Sequence, residues 1–91
     1  MSVDKVDVQI TNHNMPESMQ DEVVKSAVAI LLESNPLNTF PAKMKEHMDN
    51  TYRPRWHCIM GKNYCSNVSF VEGNFITFTV DGHVILLFRT A

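Results

Sequence analysis

The stretch FITFTVDGHVILLF, residues 75–88, carries the strongest fold signal in the sequence. In its first half, large apolar residues recur at every second position, which is the period of a β-strand. Asp81-Gly82 follows, a dipeptide typical of two-residue hairpin turns, and a second apolar run completes the stretch. The sequence therefore predicts two antiparallel strands joined by a tight turn.

The second strand of this hairpin is apolar on both of its faces. By alternation, Val84, Leu86 and Phe88 lie on one face, and Ile85 and Leu87 lie on the other. Two amphipathic helices can cover only one face of a small sheet, so the second face needs another cover. A second copy of the chain, stacked sheet on sheet, is the simplest cover and leaves edge strands able to accept an extended peptide. The residues alone thus indicate a homodimeric binding module of unknown ligand.

A strand and a helix are predicted in the first third of the chain. VDVQI, residues 6–10, alternates as a half-buried strand does. Asn14, Pro16 and Glu17 have the spacing of a capping box, with Asn14 as the N-cap. Apolar residues then recur three and four apart until Ser-Asn-Pro at residues 34–36, which ends the helix because the residue before a proline resists helical geometry.

A second helix and a series of strands complete the predicted fold. Apolar residues four apart predict the helix over residues 38–50, and the strand-like runs WHCIM, YCSNVSF, FITFTV and HVILLF follow as an antiparallel meander. The predicted fold class is α+β, with two helices packed on an antiparallel β-sheet. A length of 91 residues predicts a single domain over residues 1–91.

Composition argues against several classes of function. A net charge of −2 and a pI near 6.0 lack the basic character that nucleic-acid binding requires, so no nucleic acid is expected. No apolar run approaches the roughly 20 residues of a membrane span and no signal segment opens the chain, so we expect no membrane association and a cytoplasmic location. Cys58 and Cys65 fit free thiols in a reducing compartment.

The stretch RPRWHCIMGKNYCSNVSF, residues 53–70, concentrates the chemically reactive side chains. His57 and Cys58 are adjacent, and neighbours on a strand face opposite ways, so they are not expected to form a nucleophile and base pair. Together with Cys65 and His83 they lack metal-ligand spacing, so we expect no metal and no cofactor. A thiol or redox enzyme using Cys65 is the alternative from another class, but the prediction is a protein without catalytic activity.

WHCIMGKNYCSNV, the following NFITF and the closing ILLF resemble the cytoplasmic dynein light chain family, which consists of small dimeric hub light chains. The resemblance runs without gaps from about Met15 to Ala91 and includes MPESMQ at the head of the first helix. It implies a strand-swapped homodimer in which residues 64–70 are exchanged between protomers. An extended client peptide would lie antiparallel to that strand in each of the two grooves.

The resemblance also implies the site residues. The peptide-binding residues would be Lys62, Asn63, Tyr64, Cys65, Ser66, Val68, Ser69, Phe70, Phe75, Thr77 and Val84. The dimer interface would contain Glu46, His57, Asn67 and Ser69. His57 matches a histidine at the family's dimer interface where protonation favours monomers, because two buried charges near a symmetry axis repel each other.

Several substitutions mark a divergent member of that family. Leu37 and Asn38 replace the charged pair with which its members recognise a client glutamine, and Thr77 and Thr79 replace groove tyrosines. The usual Thr-Gln-Thr client motif need not carry over to a groove altered in this way.

The resemblance predicts a non-catalytic light chain of a dynein motor complex that binds the dynein intermediate chain and other disordered clients and promotes their dimerisation. The expected location is the cytoplasm and the microtubule cytoskeleton. An axonemal light chain of a cilium or flagellum, with altered client specificity, is the nearest alternative.

Overall fold

Two α-helices pack on one face of a five-stranded antiparallel sheet in the computed structural model, which describes residues 2–3, 6–62 and 69–90. The strands are β1 (Ser2–Val3), β2 (Val6–Asn14), β3 (Trp56–Gly61), β4 (Phe75–Val80) and β5 (His83–Arg89). The helices are α1 (Glu17–Glu33) and α2 (Phe40–Thr51), and a short 3-10 turn, Leu37–Thr39, leads into α2. The predicted α+β class is confirmed.

The order of the strands across the sheet is β1-β2-β4-β5-β3, and every neighbouring pair is antiparallel. This order corrects the predicted meander, because β3 pairs with β5 and not with the next described strand in the chain. β5 is apolar on both faces and lies inside the sheet, between β4 and β3. β3 therefore lies at one edge of the described sheet, although it precedes β4 and β5 in the chain.

The hydrophobic core lies between the helices and the facing side of the sheet. It contains Val23, Val24, Ala27 and Val28 of α1, Phe40, Met44 and Met48 of α2, and Val8, Trp56, Ile76, Phe78, Val80, Ile85 and Leu87 of the sheet. These side chains are almost fully buried, as the three- and four-residue spacing of the helices and the two-residue spacing of the strands predict. None of the helices in the described ranges combines the length and the apolar composition that a bilayer crossing requires.

The start of α1 differs from the predicted capping box. Pro16 is the residue before the first helical position, and no side chain caps the helix. Asn14 is instead the last residue of β2, where its side-chain oxygen accepts a hydrogen bond from the Gly73 N–H and its amide donates to Glu72 at 3.2 Å. The predicted N-cap was wrong because the asparagine side chain joins β2 to the turn that precedes β4 rather than opening a helix.

β2 is longer than the predicted five residues and contains an irregularity at Thr11. Ile10 pairs with Phe78 but Asn12 pairs with Thr77, so Thr11 is one extra residue in the strand. Its hydroxyl donates to the Thr77 carbonyl at 3.1 Å. Beyond this point His13, which pairs with Ile76, lies on the side of the sheet that faces the helices, and its Nδ1 accepts a hydrogen bond from Gln20 of α1 at 3.2 Å.

The hairpin turn between β4 and β5 is confirmed. Asp81 has φ 47° and Gly82 has φ 82°, which are the two left-handed conformations that a two-residue turn of this kind requires. The Asp81 N–H donates to the Asp7 carbonyl at 3.0 Å, and the Asp7 N–H donates to the Asp81 carboxylate at 3.3 Å. The turn is therefore tied to β2 as well as to its own strands.

Candidate functional site: the helix-free face and the outer strand

The face of the sheet opposite the helices, called here the helix-free face, carries apolar and small polar side chains. By strand alternation and register it is formed by His57 and Ile59 of β3, Phe75, Thr77 and Thr79 of β4, and Val84, Leu86 and Phe88 of β5. None of these side chains belongs to the core under the helices. The predicted division of β4 and β5 into two faces is confirmed.

Part of the helix-free face is buried already within one chain. Leu86 is fully buried and Phe88 is 8% exposed, whereas Ile59 is 43% exposed. Val84 and Phe75 are half-buried. The apolar surface that remains for a partner is therefore largest at Ile59 on β3, with smaller contributions from the half-buried Val84 and Phe75.

His57 lies in a defined environment on this face. Its ring stacks on Phe88 at a centroid distance of 5.1 Å and an interplanar angle of 25°, and its Nε2 is 3.1 Å from the Thr90 hydroxyl. The ring is thus held by an aromatic face and by a hydroxyl that can either donate or accept.

A second aromatic pair lies at the beginning of β4. Phe70 stacks on Phe75 with ring centroids 4.7 Å apart, and Phe70 remains 37% exposed. Next to it, Ser69, Phe70, Val71 and Thr90 line an open cavity of about 210 Å³. The Val71 N–H donates to the Arg89 carbonyl at 2.8 Å, so this segment is fastened to the end of β5.

β3 is the outer strand on this side of the sheet. Each of its residues from Trp56 to Gly61 pairs with one residue of β5, and no other described strand pairs with it. Backbone groups that point away from β5 consequently have no strand partner in the described part of the chain. An edge of this kind can accept an additional extended strand through main-chain hydrogen bonds.

Asp49 of α2 fixes the beginning of this outer strand. Its carboxylate accepts hydrogen bonds from the Trp56 N–H at 2.7 Å and from the Lys45 ammonium at 2.6 Å. Desolvation raises the pKa of Asp49, but these two hydrogen bonds and the charges of Lys45 and His57 outweigh it, so the pKa falls below its ordinary value of 3.8. The ionised carboxylate therefore links the helix layer to the strand that carries His57 and Ile59.

The structure brings some of the predicted site residues together. His57, Phe75, Thr77 and Val84 share the helix-free face, and Ser69 and Phe70 lie beside it with exposed side chains. Lys62 is exposed directly after β3. Asn63, Tyr64, Cys65, Ser66, Asn67 and Val68 lie outside the described residues, so the peptide-binding and interface roles of all these residues stay predictions.

Glu46 and the residues that replace the charged clamp lie on the helix side. Glu46 is exposed on α2 and lines a cleft of about 290 Å³ between the helices. Leu37 and Asn38 are exposed in the 3-10 turn that precedes α2. Within one chain, Glu46 therefore lies on the helix side of the sheet and His57 on the opposite face, although both are predicted interface residues.

The reactive side chains of residues 53–70 do not form a catalytic arrangement where they are described. Burial raises the pKa of the Cys58 thiol to about 12, and the thiol packs against the core while His57 is on the opposite face. His57 and His83 are at opposite ends of the β5 ladder, paired with Phe88 and Val80. Among the described residues no three His, Cys, Asp or Glu side chains are grouped as metal ligands.

Sequence reasoning did not single out Ile59 or the contact between His57 and Thr90. Ile59 follows His57 by two positions, so strand alternation contained the information that both lie on one face. The contact with Thr90 depends on the pairing of β3 with β5, which nothing in the local pattern of either strand indicates.

Comparisons with known proteins agree with the fold. The profile of a family described as dynein light chain type 1 matches residues 7–90. A dynein light chain of Schistosoma mansoni is 33% identical over 81 residues, which cover 89% of this chain and 91% of the relative.

The dynein light chain-like domain of a calcium binding protein from Fasciola hepatica, in its native crystal form, superposes with a TM-score of 0.86 at 22% identity and covers 97% of this chain and 95% of its own. A mercury derivative of the same domain gives a TM-score of 0.81 at 22% identity, with 93% of each chain covered.

Proposed function

The chain belongs to the dynein light chain type 1 family, and from this premise we propose that it is a homodimeric, non-catalytic hub that binds extended client peptides by β-strand addition. Family membership supports a dynein light chain role and association with a cytoskeletal motor complex. The proposal adds the dimer, the peptide groove and the clients, among them the dynein intermediate chain. Pairing two disordered client strands on one dimer would promote their association through a raised effective concentration.

The observation that carries the proposal is the outer strand β3 beside a partly apolar face. Its outward backbone groups have no strand partner in the described residues, and Ile59 exposes 43% of its surface there. A strand from a second copy would satisfy the backbone groups and cover the isoleucine in one step. Residues 64–70 are the segment that we propose to be exchanged.

The client peptide would then use main-chain hydrogen bonds for most of its affinity. Phe70, Phe75, Thr77 and Val84 would contact its side chains, together with Lys62 and residues 63–66 and 68. Because threonine is smaller than tyrosine, this groove would be wider at Thr77 and Thr79 than that of typical members.

Calorimetric titration with a peptide that contains the Thr-Gln-Thr motif tests the groove. We expect one peptide bound per protomer, with a dimer found by sedimentation in the same buffer. If an intact dimer bound no such peptide, the general hub function would be wrong and the clients would be specialised. Reversion of Leu37, Asn38, Thr77 and Thr79 to the residues typical of the family would then restore binding.

The dimer is tested independently by Ile59→Glu, with Leu32→Glu as the matched control. Leu32 is 66% exposed on α1, so both substitutions place a charge at an exposed apolar position, but only one lies on the helix-free face. A carboxylate buried without a partner at the interface should raise the dissociation constant about 100-fold or more, whereas the control should leave it within about threefold. Equal sedimentation of both variants and the parent would contradict the proposed interface.

Acid should also weaken the dimer if His57 lies near the symmetry axis. Sedimentation at neutral and acidic pH, within the range in which the fold persists, would detect this. A dissociation constant unchanged over that range would remove His57 from the proposed interface.

A further inference from the structure

All of the chain's arginines lie at one end of the sheet. Arg53 and Arg55 are in the connection between α2 and β3, and Arg89 is the last residue of β5. The five lysines are distributed elsewhere along the chain. These three residues are called here the arginine cluster. Arg89 is 34 positions from Arg55 in the sequence, so the fold brings the two segments together.

Backbone contacts hold the two segments of the cluster against each other. Arg89 Nε donates to the Pro54 carbonyl at 2.9 Å, between Arg53 and Arg55 in the chain. The Thr90 N–H donates to the Arg55 carbonyl at 3.0 Å, and Arg89 pairs with Trp56 in the sheet. The Cα atoms of Arg53 and Arg55 can be no more than about 7 Å apart because only one residue, Pro54, separates them.

The guanidinium groups of the cluster are accessible and lack a carboxylate partner in the described part of the chain. Arg53 and Arg55 are exposed, and Arg89 is half-buried. The ion pair found among the described residues is Lys45–Asp49. Asp49 contacts the Trp56 N–H at the edge of the cluster, but its two oxygens are engaged by that N–H and by Lys45. A positive patch therefore persists on a chain whose net charge is −2.

We propose that the arginine cluster is a docking surface for an acidic segment, rich in Asp or Glu, of a partner protein. Arginine presents a planar fork of donors that matches a carboxylate, and three such groups suit two or three carboxylates. In an extended peptide, alternate side chains are about 7 Å apart on one face, so the long side chains of Arg53 and Arg55 can contact two of them.

Other anionic partners fit the cluster less well. Nucleic acid binding draws on a broad basic surface, and this chain is acidic overall. Recognition of anionic lipid typically uses about four to eight basic residues in one cluster, and the arginine cluster has three. A short acidic peptide requires neither.

The location of the cluster gives it a use beyond the proposed peptide groove. The cluster lies beside the first residue of β3, at the end of the sheet. It would therefore contact a segment of the partner protein that lies beyond this end of the sheet. Neither the exchanged strand nor the Thr-Gln-Thr motif enters this inference, so its outcome is independent of the proposed function.

Fluorescence anisotropy with a labelled peptide of alternating glutamate and serine tests the inference, at an ionic strength of about 0.15 M. A peptide of alternating glutamine and serine is the matched probe. The parent protein should bind the acidic probe and not the neutral one. Arg53→Gln/Arg55→Gln should weaken binding about tenfold, because each exposed charged contact contributes at most about fivefold.

Lys25→Gln/Lys43→Gln is the control variant, since it removes the same charge from exposed positions on the helices. It should change binding less than about twofold if the arginines form a local site. Arg53→Lys/Arg55→Lys keeps the charge and loses the planar fork, so it should bind more weakly than the parent but more tightly than the glutamine variant. Fluorescence of the buried Trp56 checks that every variant is folded.

Three results would overturn the inference. The parent protein could fail to bind the acidic probe, or the lysine control could lose as much affinity as the arginine variant. A single-stranded oligonucleotide or a vesicle of anionic lipid could also bind more tightly than the acidic probe through the same arginines, in which case the partner class is wrong.

Discussion

Removing the Asp49 carboxylate should destabilise the fold more than any other change to an exposed or half-exposed charge that the structure describes. Its hydrogen bond to the Trp56 N–H is short, at 2.7 Å, and joins α2 to β3 where the strand begins. A hydrogen bond to a charged group contributes about 1.5–3 kcal/mol, and the N–H left without an acceptor adds to the loss. The helical ion pair with Lys45 adds only about 0.3–0.5 kcal/mol.

We therefore expect Asp49→Ala to lower the free energy of unfolding by about 2–3 kcal/mol. Asp49→Asn retains an acceptor oxygen for the Trp56 N–H and should cost about 1 kcal/mol, and Lys45→Ala should cost less than about 0.5 kcal/mol. For a chain of this size, each kcal/mol corresponds to about 4–8 °C in Tm, so Asp49→Ala should lower Tm by about 10–20 °C.

Urea unfolding followed by tryptophan fluorescence is a direct assay, since Trp56 is the only tryptophan and is fully buried. The midpoint should move while the slope with urea stays constant. Protein concentration must be identical for all variants, because dimerisation would make stability depend on it.

The dependence on pH supplies an independent check. The pKa of Asp49 is lowered in the folded protein, so its contribution is complete above the ordinary value of 3.8 and is lost as the pH falls through the folded value. The difference between the parent and Asp49→Ala should be constant near neutral pH and shrink in acid. A loss below about 0.5 kcal/mol for Asp49→Ala, or a difference that persists undiminished in acid, would refute the reasoning.

The remaining predictions concern the core, the turn and the thiol. Phe78→Ala should lower the free energy of unfolding by about 3–5 kcal/mol in urea denaturation, because Phe78 is fully buried and its loss leaves a cavity; a cost near that of a surface substitution would show that the site collapses. Gly82→Ala should cost about 1 kcal/mol in thermal unfolding because Gly82 has φ 82°, although an added Cβ would meet no atom within 4 Å; an unchanged Tm would mean that the turn readjusts. Cys58 should resist a thiol reagent at neutral pH until the protein is unfolded, because burial raises its pKa to about 12; rapid modification of Cys58, located by mass spectrometry on native protein, would contradict this.

Local pattern predicted the elements whose signal is contained in a few residues. The hairpin of β4 and β5 follows from alternation and from Asp81-Gly82, whose backbone has the required left-handed conformation. The helices follow from apolar spacing, and the burial of Met44 and Met48 agrees with it.

Features that depend on distant parts of the chain were missed or only partly predicted. The second half of β2 is polar and exposed, so it has no hydrophobic alternation, and its pairing with β4 is visible only in the folded chain. The position of β3 beside β5 could not be read from either strand, because a run that is apolar on both faces accepts several neighbours. The arginine cluster likewise combines residues from two segments that are remote in sequence.

The candidate site was likewise predicted only in part from the residues themselves. The two faces of the hairpin were predicted from the residues themselves, but the assignment of residues 62–66 and 68–70 to a peptide groove came from the family resemblance alone. The residues alone indicate a homodimeric binding module but not its ligand or its groove residues, because a main-chain ladder leaves little trace in side-chain type.

The extra residue at Thr11 changes the parity of β2. Before it, even-numbered residues such as Val8 and Ile10 face the helices, and after it the odd-numbered His13 does. In the first part of β2 the inward side chains are apolar and pack on the core. In the second part the inward side chain is the polar His13, which contacts Gln20 near the start of α1. If Thr11 were instead paired in the ladder as a regular strand residue, Asn12 would take the inward position and His13 the outward one, while the composition of the strand would not change.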